Sequence, residues 1–265
     1  MQAFGYYDPT SAAKAAAIAS DKPEGRYLAG GQSLLAAMKL SLTQPTDLID
    51  LARVPELHGI RADAKAVTLG AMVRHAEVAA SPEVAARIPA LAALAGLIGD
   101  RQVRNRGTLG GSLANNDPAA DYPAAVLGLK ATIHTSQRAI DADQYFTGLF
   151  ETALTRGEII TRLSFPIPKR SGYAKLHQPA SRFALVGVFV AELADGSIRV
   201  AVTGAGPCAF RAAAIEAALK GSFTAAAAES AKISADNLNA DLHGSPEYRA
   251  HMVPVLAGRA VASAR

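Results

Sequence analysis

The residues best equipped for chemistry are Thr108-Leu109-Gly110-Gly111-Ser112, with the tail Leu113-Ala114-Asn115-Asn116-Asp117-Pro118 and Asp121. Two glycines beside two hydroxyl residues leave backbone N–H groups uncovered, so an anion can come close. The N–H array and the Thr108 and Ser112 hydroxyls together could cradle a phosphate. Asp121 could accept hydrogen bonds from a ribose or a heteroaromatic ring. A glycine pair alone in a loop is usually just a tight turn. The phosphate reading gains weight from a similar stretch about eighty positions earlier, Leu28-Ala29-Gly30-Gly31-Gln32-Ser33-Leu34-Leu35.

Other chemistry is not spelled out. The six histidines, His58, His75, His134, His177, His243 and His251, show no metal-binding spacing and read as surface or loop residues. There is no Gly-x-Ser-x-Gly elbow, and no base is assignable to Ser33 or Ser112. Asp117 and Asp121 are separated by Pro118 and do not read as an acid/base pair. No catalytic residue and no metal ligand is therefore expected in this chain. Phosphate cradles without an acid, base, nucleophile or metal set point to a bound cofactor as the seat of the chemistry.

The elements around these stretches are legible. Ser11–Ser20 is alanine-rich and predicts a helix, broken at Lys22-Pro23-Glu24-Gly25. Arg26–Ala29 reads as a short strand entering Gly30-Gly31, and Ser33 as the N-cap of a helix through Leu40. A strand, a glycine turn and a helix start suit a pyrophosphate, although the spacing matches neither GxGxxG nor a P-loop. Asp47–Leu51 predicts a strand, and Gly59–Arg61 with Ala66–Ala71 a hairpin. Glu83–Ile88 and Ala90–Ile98 predict helices, the second buried. Gly99–Gly107 reads as a polar loop. Tyr122–Leu129 predicts a helix, and Ala131–Thr135 and Ile159–Phe165 strands. Lys169–Gly172 is the candidate domain boundary. Beyond it Tyr173–Gln178, Phe183–Leu193 and Ser197–Thr203 predict strands, with Asp195-Gly196 as a hairpin turn. Ala212–Leu219 and Pro246–Ser263 predict helices, giving an α+β layer with helices on one face of an antiparallel sheet.

Composition bounds the function. The chain has 265 residues, half of them hydrophobic, enough for two compact domains. No apolar run reaches the ~18 residues of a membrane span. The N-terminus lacks the charged start and apolar run of a secretory signal, so a cytoplasmic protein is expected. Cys208 is the one cysteine, so this chain's thiolates alone hold no iron–sulfur cluster. The net charge of +4 is mild, and its densest patch, Arg101, Arg104 and Arg106, has no interleaved aromatics. That excludes a nucleic-acid reading and leaves those arginines as phosphate or partner contacts or as a solvated loop.

Read together, Ala29–Leu35 with Met38-Lys39-Leu40 and Pro45, and Arg104–Ala114 with Asp117-Pro118 and Asp121, resemble the two FAD-binding motifs of the medium subunit of molybdenum hydroxylases. These are flavoproteins of the carbon monoxide dehydrogenase and xanthine dehydrogenase type. The resemblance spans nearly the whole chain and implies an α+β fold. An FAD-binding portion over 1-172, with subdomains of about 1-54 and 55-172, would be followed by a C-terminal domain over 173-265. It implies that Leu28, Ala29, Gly30, Gly31, Gln32, Ser33, Leu34 and Leu35 wrap the FAD pyrophosphate. Thr108, Leu109, Gly110, Gly111 and Ser112 would lie along the phosphates toward the flavin, with Gly110 and Gly111 giving the ring room. Asn116 and Asp121 would contact the cofactor, as by position would Ile98, Ile160 and Lys175. Core packing for Ile98 and Ile160, and a surface charge for Lys175, are the alternatives.

Gln32 stands where some relatives carry His, which excludes a covalent histidyl–flavin bond at that position. The expected assembly is a small [2Fe–2S] subunit and a large molybdopterin subunit with this chain, as a dimer of heterotrimers. This chain would take electrons from the [2Fe–2S] subunit and pass them to an outside acceptor. The competing expectation is a stand-alone FAD-dependent oxidoreductase with its own substrate site.

Overall fold

The computed structural model describes residues 2–265. The chain begins with a small parallel sheet. Strand β1 (Gly5–Tyr7) leads to helix α1 (Ala12–Asp21), strand β2 (Arg26–Leu28), helix α2 (Leu34–Lys39) and strand β3 (Asp47–Asp50). The sheet order is β1-β3-β2, with both pairings parallel. Ser11 caps α1, its side chain accepting from the Lys14 N–H. Ala12 and Ala15 of α1 pack with Ile49 of β3, while Met38 and Leu35 of α2 pack with Leu28 and Leu48. Small residues on α1 let it sit close to the sheet.

A five-stranded sheet follows, in the order β4-β5-β10-β6-β7. Its strands are β4 (Ile60–Ala62), β5 (Ala66–Gly70), β6 (Thr132–Thr135), β7 (Ala139–Asp141) and β10 (Ile160–Pro166). Between β5 and β6 the chain forms six helices: α3 (His75–Ala80), α4 (Pro82–Arg87), α5 (Pro89–Gly96), α6 (Arg101–Arg106), α7 (Leu109–Asn115) and α8 (Tyr122–Gly128). A one-turn helix α9 (Ala142–Tyr145) and a hairpin of β8 (Phe146–Gly148) and β9 (Glu151–Thr152) complete this part. The predicted polar loop over Gly99–Gly107 is in fact helix α6. Asp100 caps it by accepting from the Val103 N–H at 2.8 Å, a cap signal that the arginines obscured.

The last part is a four-stranded antiparallel sheet of β11 (Arg170–His177), β12 (Ala184–Glu192), β13 (Ile198–Thr203) and β14 (Phe210–Arg211), in that order. Helices α10 (Ala213–Gly221), α11 (Ala225–Glu229) and α12 (Pro246–Ala262) follow. Strand β12 shows why the parts stay together. Its Val186, Val188 and Val190 face Val253, Leu256 and Ala260 of α12 in one core. Phe189 and Ala191, pointing the other way, join the main core with Val126 and Leu127 of α8. Both faces are covered, which explains the nearly continuous apolar run Ala184–Ala191. Burying Phe189 alone contributes about 1.5–3 kcal/mol.

Glu158, just before β10, is a buried charge with a full set of partners. Its carboxylate accepts from Arg138 Nε at 3.1 Å, Thr135 Oγ1 at 2.6 Å, and the Thr155 N–H and hydroxyl at 2.8 and 3.0 Å. Burial alone would raise its pKa, but these bonds outweigh it and hold the carboxyl at about 2. A depressed folded pKa gives stability that is complete above the ordinary value and lost as pH falls from 4.5 toward 2. Glu158→Gln should therefore cost on the order of 2 kcal/mol at neutral pH, after allowing for solvent screening of the half-exposed Arg138. It should also flatten that acid limb. Urea midpoints measured across the pH range check both, and an unchanged acid limb would refute the assignment.

Candidate cofactor site

The first glycine stretch leaves β2 and turns at Gly31, whose φ of +74° is a left-handed conformation that glycine adopts freely. Helix α2 starts at once: the Leu35 N–H donates to Gly31 O and the Ala37 N–H to Ser33 O. Ser33 occupies the N-cap position, but its side chain makes no capping bond, contrary to expectation. Among the described residues, the backbone N–H groups of Gly30, Gly31, Gln32, Ser33 and Leu34 have no acceptor within the chain. The first three of these free donors, at Gly30, Gly31 and Gln32, belong to residues lining a cleft of about 230 Å³, bounded also by Leu35, Ala36, Lys39 and Arg106. Uncommitted N–H groups with an ammonium and a guanidinium beside them form an anion site.

The second stretch is built differently. Thr108 caps α7, its hydroxyl accepting from the Gly111 N–H at 3.2 Å. The glycines lie in the first turn of that helix rather than in an open loop. The Leu109 N–H donates to Val73 O at 2.9 Å and the Gly110 N–H to Ala71 O at 2.8 Å. The Ser112 N–H donates to Thr108 O, and the His75 N–H to Gly107 O. Every donor from Leu109 to Ser112 is thus committed inside the chain, which corrects the expectation of a second free N–H array. What this stretch leaves open is the part-exposed Ser112 and the donor side of the Thr108 hydroxyl.

The two stretches meet. A Cβ on Gly30 would overlap the carbonyl of Arg106 and crowd Gly107 Cα at 3.1 Å, so the first turn rests directly on the chain entering the second. Gly110 is buried, and a Cβ there would lie 2.6 Å from Ala71 Cβ and 2.9 Å from its carbonyl oxygen. Packing against Ala71 by itself requires glycine there. His75, expected on the surface, is 5% exposed behind Gly107, its ring 5.3 Å from that of Tyr122. Burial, with Arg104 nearby, lowers its pKa to about 4, so it is neutral at physiological pH.

The remaining candidates fall into two places. Asn116 ends α7 in the left-handed region at φ 43°, fully buried. Its Nδ2 donates to Gly148 O and Glu151 O, bracing the β8–β9 hairpin, while its Oδ1 has no partner. Asp121, Lys175, Ile98 and Ile160 do not line the cleft of the first stretch. Asp121 is 4% exposed and accepts from Tyr173 Oη at 2.6 Å and Lys175 Nζ at 3.0 Å. Lys175 Nζ also donates to Leu97 O at 3.1 Å, and its side chain is 2% exposed, so it is no surface charge. Burial raises the pKa of Asp121, and the Lys175 charge and the Tyr173 hydroxyl oppose that rise. Ile98 packs on the edge of the main core, and its carbonyl accepts from Arg104 at 3.0 Å. Ile160 is inside that core at the start of β10.

Residue types alone did not single out Ala71 and Val73, whose carbonyls hold the second stretch, nor Tyr173. Ala71 and Val73 carry only the signal of following strand β5 closely, and Tyr173 lies within β11, opposite Asp121. Among the described residues, no three His, Cys, Asp or Glu side chains gather to hold a metal.

Comparison with known proteins places the whole chain. Residues 2–168 match the family described as the FAD binding domain in molybdopterin dehydrogenase. Residues 171–264 match the CO dehydrogenase flavoprotein C-terminal domain. The chain is 35% identical to the carbon monoxide dehydrogenase medium chain of Hydrogenophaga pseudoflava, covering 98% of this chain and 96% of that one. It is 36% identical to the nicotine 6-hydroxylase medium subunit of Paenarthrobacter nicotinovorans, covering 100% and 98%. The solved structure of quinoline 2-oxidoreductase from Pseudomonas putida 86 superposes with a TM-score of 0.87 at 30% identity, covering 98% and 96%.

The packing separates two kinds of glycine variant. Gly110→Ala should destabilise the chain by about 1–3 kcal/mol, the cost of overpacking, whether or not cofactor is present. Gly30→Ala should instead separate the two stretches. Urea midpoints of the cofactor-free protein check the first, and a wild-type midpoint for Gly110→Ala would refute the packing role.

Proposed function

The chain belongs to the medium-subunit flavoprotein family of the molybdopterin-dependent dehydrogenases, and from that premise we propose that its FAD is gripped at the first glycine stretch. The observation that carries this reading is the run of free N–H groups from Gly30 to Leu34 beside Lys39 and Arg106. Two negative phosphates suit the free donors at Gly30, Gly31 and Gln32 with two cations beside them, and Gly30 has no room for a Cβ against the Arg106 carbonyl. In this reading Leu28, Ala29, Gln32 and Leu35 shape the cleft. Thr108 and Ser112 offer hydroxyls from the neighbouring helix start. Leu109, Gly110 and Gly111 serve by fixing that helix against residues 71–73. Asp121 and Lys175, with Ile98 next to Leu97, would form the end toward the flavin ring, and Asn116 and Ile160 would contact the cofactor from their own elements.

When bound, FAD supplies two-electron storage with release one electron at a time. The chain's own task is to bind and orient it, since no acid, base or nucleophile set converges on the cleft. We propose that electrons reach this chain from a small [2Fe–2S] subunit and leave to an external acceptor. A large molybdopterin subunit would do the substrate chemistry, in a dimer of heterotrimers. Relatives that share this architecture are named for carbon monoxide, nicotine and quinoline, which supports placing substrate choice outside this chain. The proposed units are residues 1-172, with subdomains of about 1-54 and 55-172, and 173-265. We place the protein in the cytoplasm; among the described residues no helix is long and apolar enough to cross a membrane.

The test is FAD titration of the full chain, followed by flavin absorption. Lys39→Glu combined with Arg106→Glu should weaken binding at least tenfold, and raised salt should weaken the wild type in the same direction. Unchanged affinity in the double variant would refute the pyrophosphate site. Turnover of substrate by the isolated chain would instead favour the stand-alone oxidoreductase.

A further inference from the structure

The buried Asp121 carboxylate has a third participant that neither the family match nor the sequence motifs assign. Tyr173 donates its hydroxyl to Asp121 Oδ1 at 2.6 Å, a short bond to a charged acceptor. Lys175, two residues along the same strand, reaches the same carboxylate and also Leu97 O. Residues i and i+2 of a strand share a face, so β11 presents both groups to Asp121 side by side. The Tyr173 ring is itself held, 6.2 Å between centroids from Phe189 on the neighbouring strand β12. Strand β11 lies in the C-terminal sheet, whereas Asp121 begins α8 and Leu97 ends α5. The carboxylate is therefore oriented from the other side of the seam at residues 169–172.

We propose that Tyr173 is a positioning residue for the flavin end of the site, acting through Asp121. This inference rests on the reading that Asp121 contacts the cofactor. A buried carboxylate bound to one lysine alone can still rotate about its side-chain torsions. A second donor from a fixed ring removes that freedom and sets which lone pairs remain for a ligand. The C-terminal sheet thereby completes a site whose recognisable motifs all lie before residue 122.

Three variants in the full chain separate the possibilities. Tyr173→Phe keeps the ring and removes only the hydroxyl. Thr135→Val removes a buried-side bond to a different carboxylate, Glu158, and serves as the reference for general loss of stability. Asp121→Asn tests the underlying reading. FAD affinity is measured by titration, and the visible circular dichroism of the bound flavin reports its local geometry.

Tyr173→Phe should weaken FAD binding about tenfold, the scale of a hydrogen bond to a charged group, and change the flavin dichroism. Thr135→Val should change neither beyond twofold. If Asp121→Asn weakens binding while Tyr173→Phe keeps wild-type affinity and dichroism, the positioning role is overturned and the cofactor contact stands. If Asp121→Asn itself has no effect, the reading beneath the inference fails. Equal losses in Tyr173→Phe and Thr135→Val would reduce Tyr173 to a structural residue and overturn the proposal.

Discussion

The contact on which the site depends is between two stretches of backbone. Gly30 lies directly on the carbonyl of Arg106, with no room for a single carbon between them. That approach brings the turn after β2 against the end of α6 and sets Arg106 on the rim of the cleft. It also explains why the two glycine stretches, eighty residues apart in sequence, form one place in space. A side chain at position 30 would push them apart before any ligand arrived.

The stretches then divide the work. The first keeps its N–H groups free, because the chain turns too sharply at Gly31 for them to find acceptors before α2 begins. The second commits its backbone N–H groups from Leu109 to Ser112, to Ala71, to Val73 and to its own helix cap. Alike in composition, they are opposite in hydrogen-bond accounting. One leaves donors free for a ligand and the other spends its backbone donors on its own fold. Free donors at a helix start are tolerable in water and favourable next to an anion, so this asymmetry costs little in a protein that binds one.

The seam between the FAD-binding part and the C-terminal sheet shows a similar economy. Strand β12 buries its valines against α12 of its own part and Phe189 and Ala191 in the main core, so the sheet cannot leave the FAD-binding part without exposing that second face. Polar bonds cross the same seam: Asp121 with Tyr173 and Lys175, Arg199 with Asp143 and the Leu127 carbonyl, and the Thr203 hydroxyl with the carbonyls of Pro118 and Ala120. Apolar burial supplies the adhesion, while these bonds set the register.

Much of this was written in the residues. Period-2 and apolar runs marked β5, β10, β12 and β13, Asp195-Gly196 marked a hairpin, and the two motifs marked both family and cofactor. Local sequence can do this because strand alternation, turn preference and glycine-rich cradles are short-range effects. Folding decided what depends on neighbours far away in the chain. Helix α6 was hidden because its arginines look like a solvated loop until Asp100 caps it. Gly110 is also required by packing against Ala71, a residue nothing nearby points to. For Lys175 a surface charge stood as the alternative to a cofactor contact; its side chain is in fact buried against Asp121, 54 positions away. The sequence determined that a dinucleotide cradle exists, and the tertiary structure decided which donors remain free to serve it, because a hydrogen bond already made within the fold cannot be offered to a ligand.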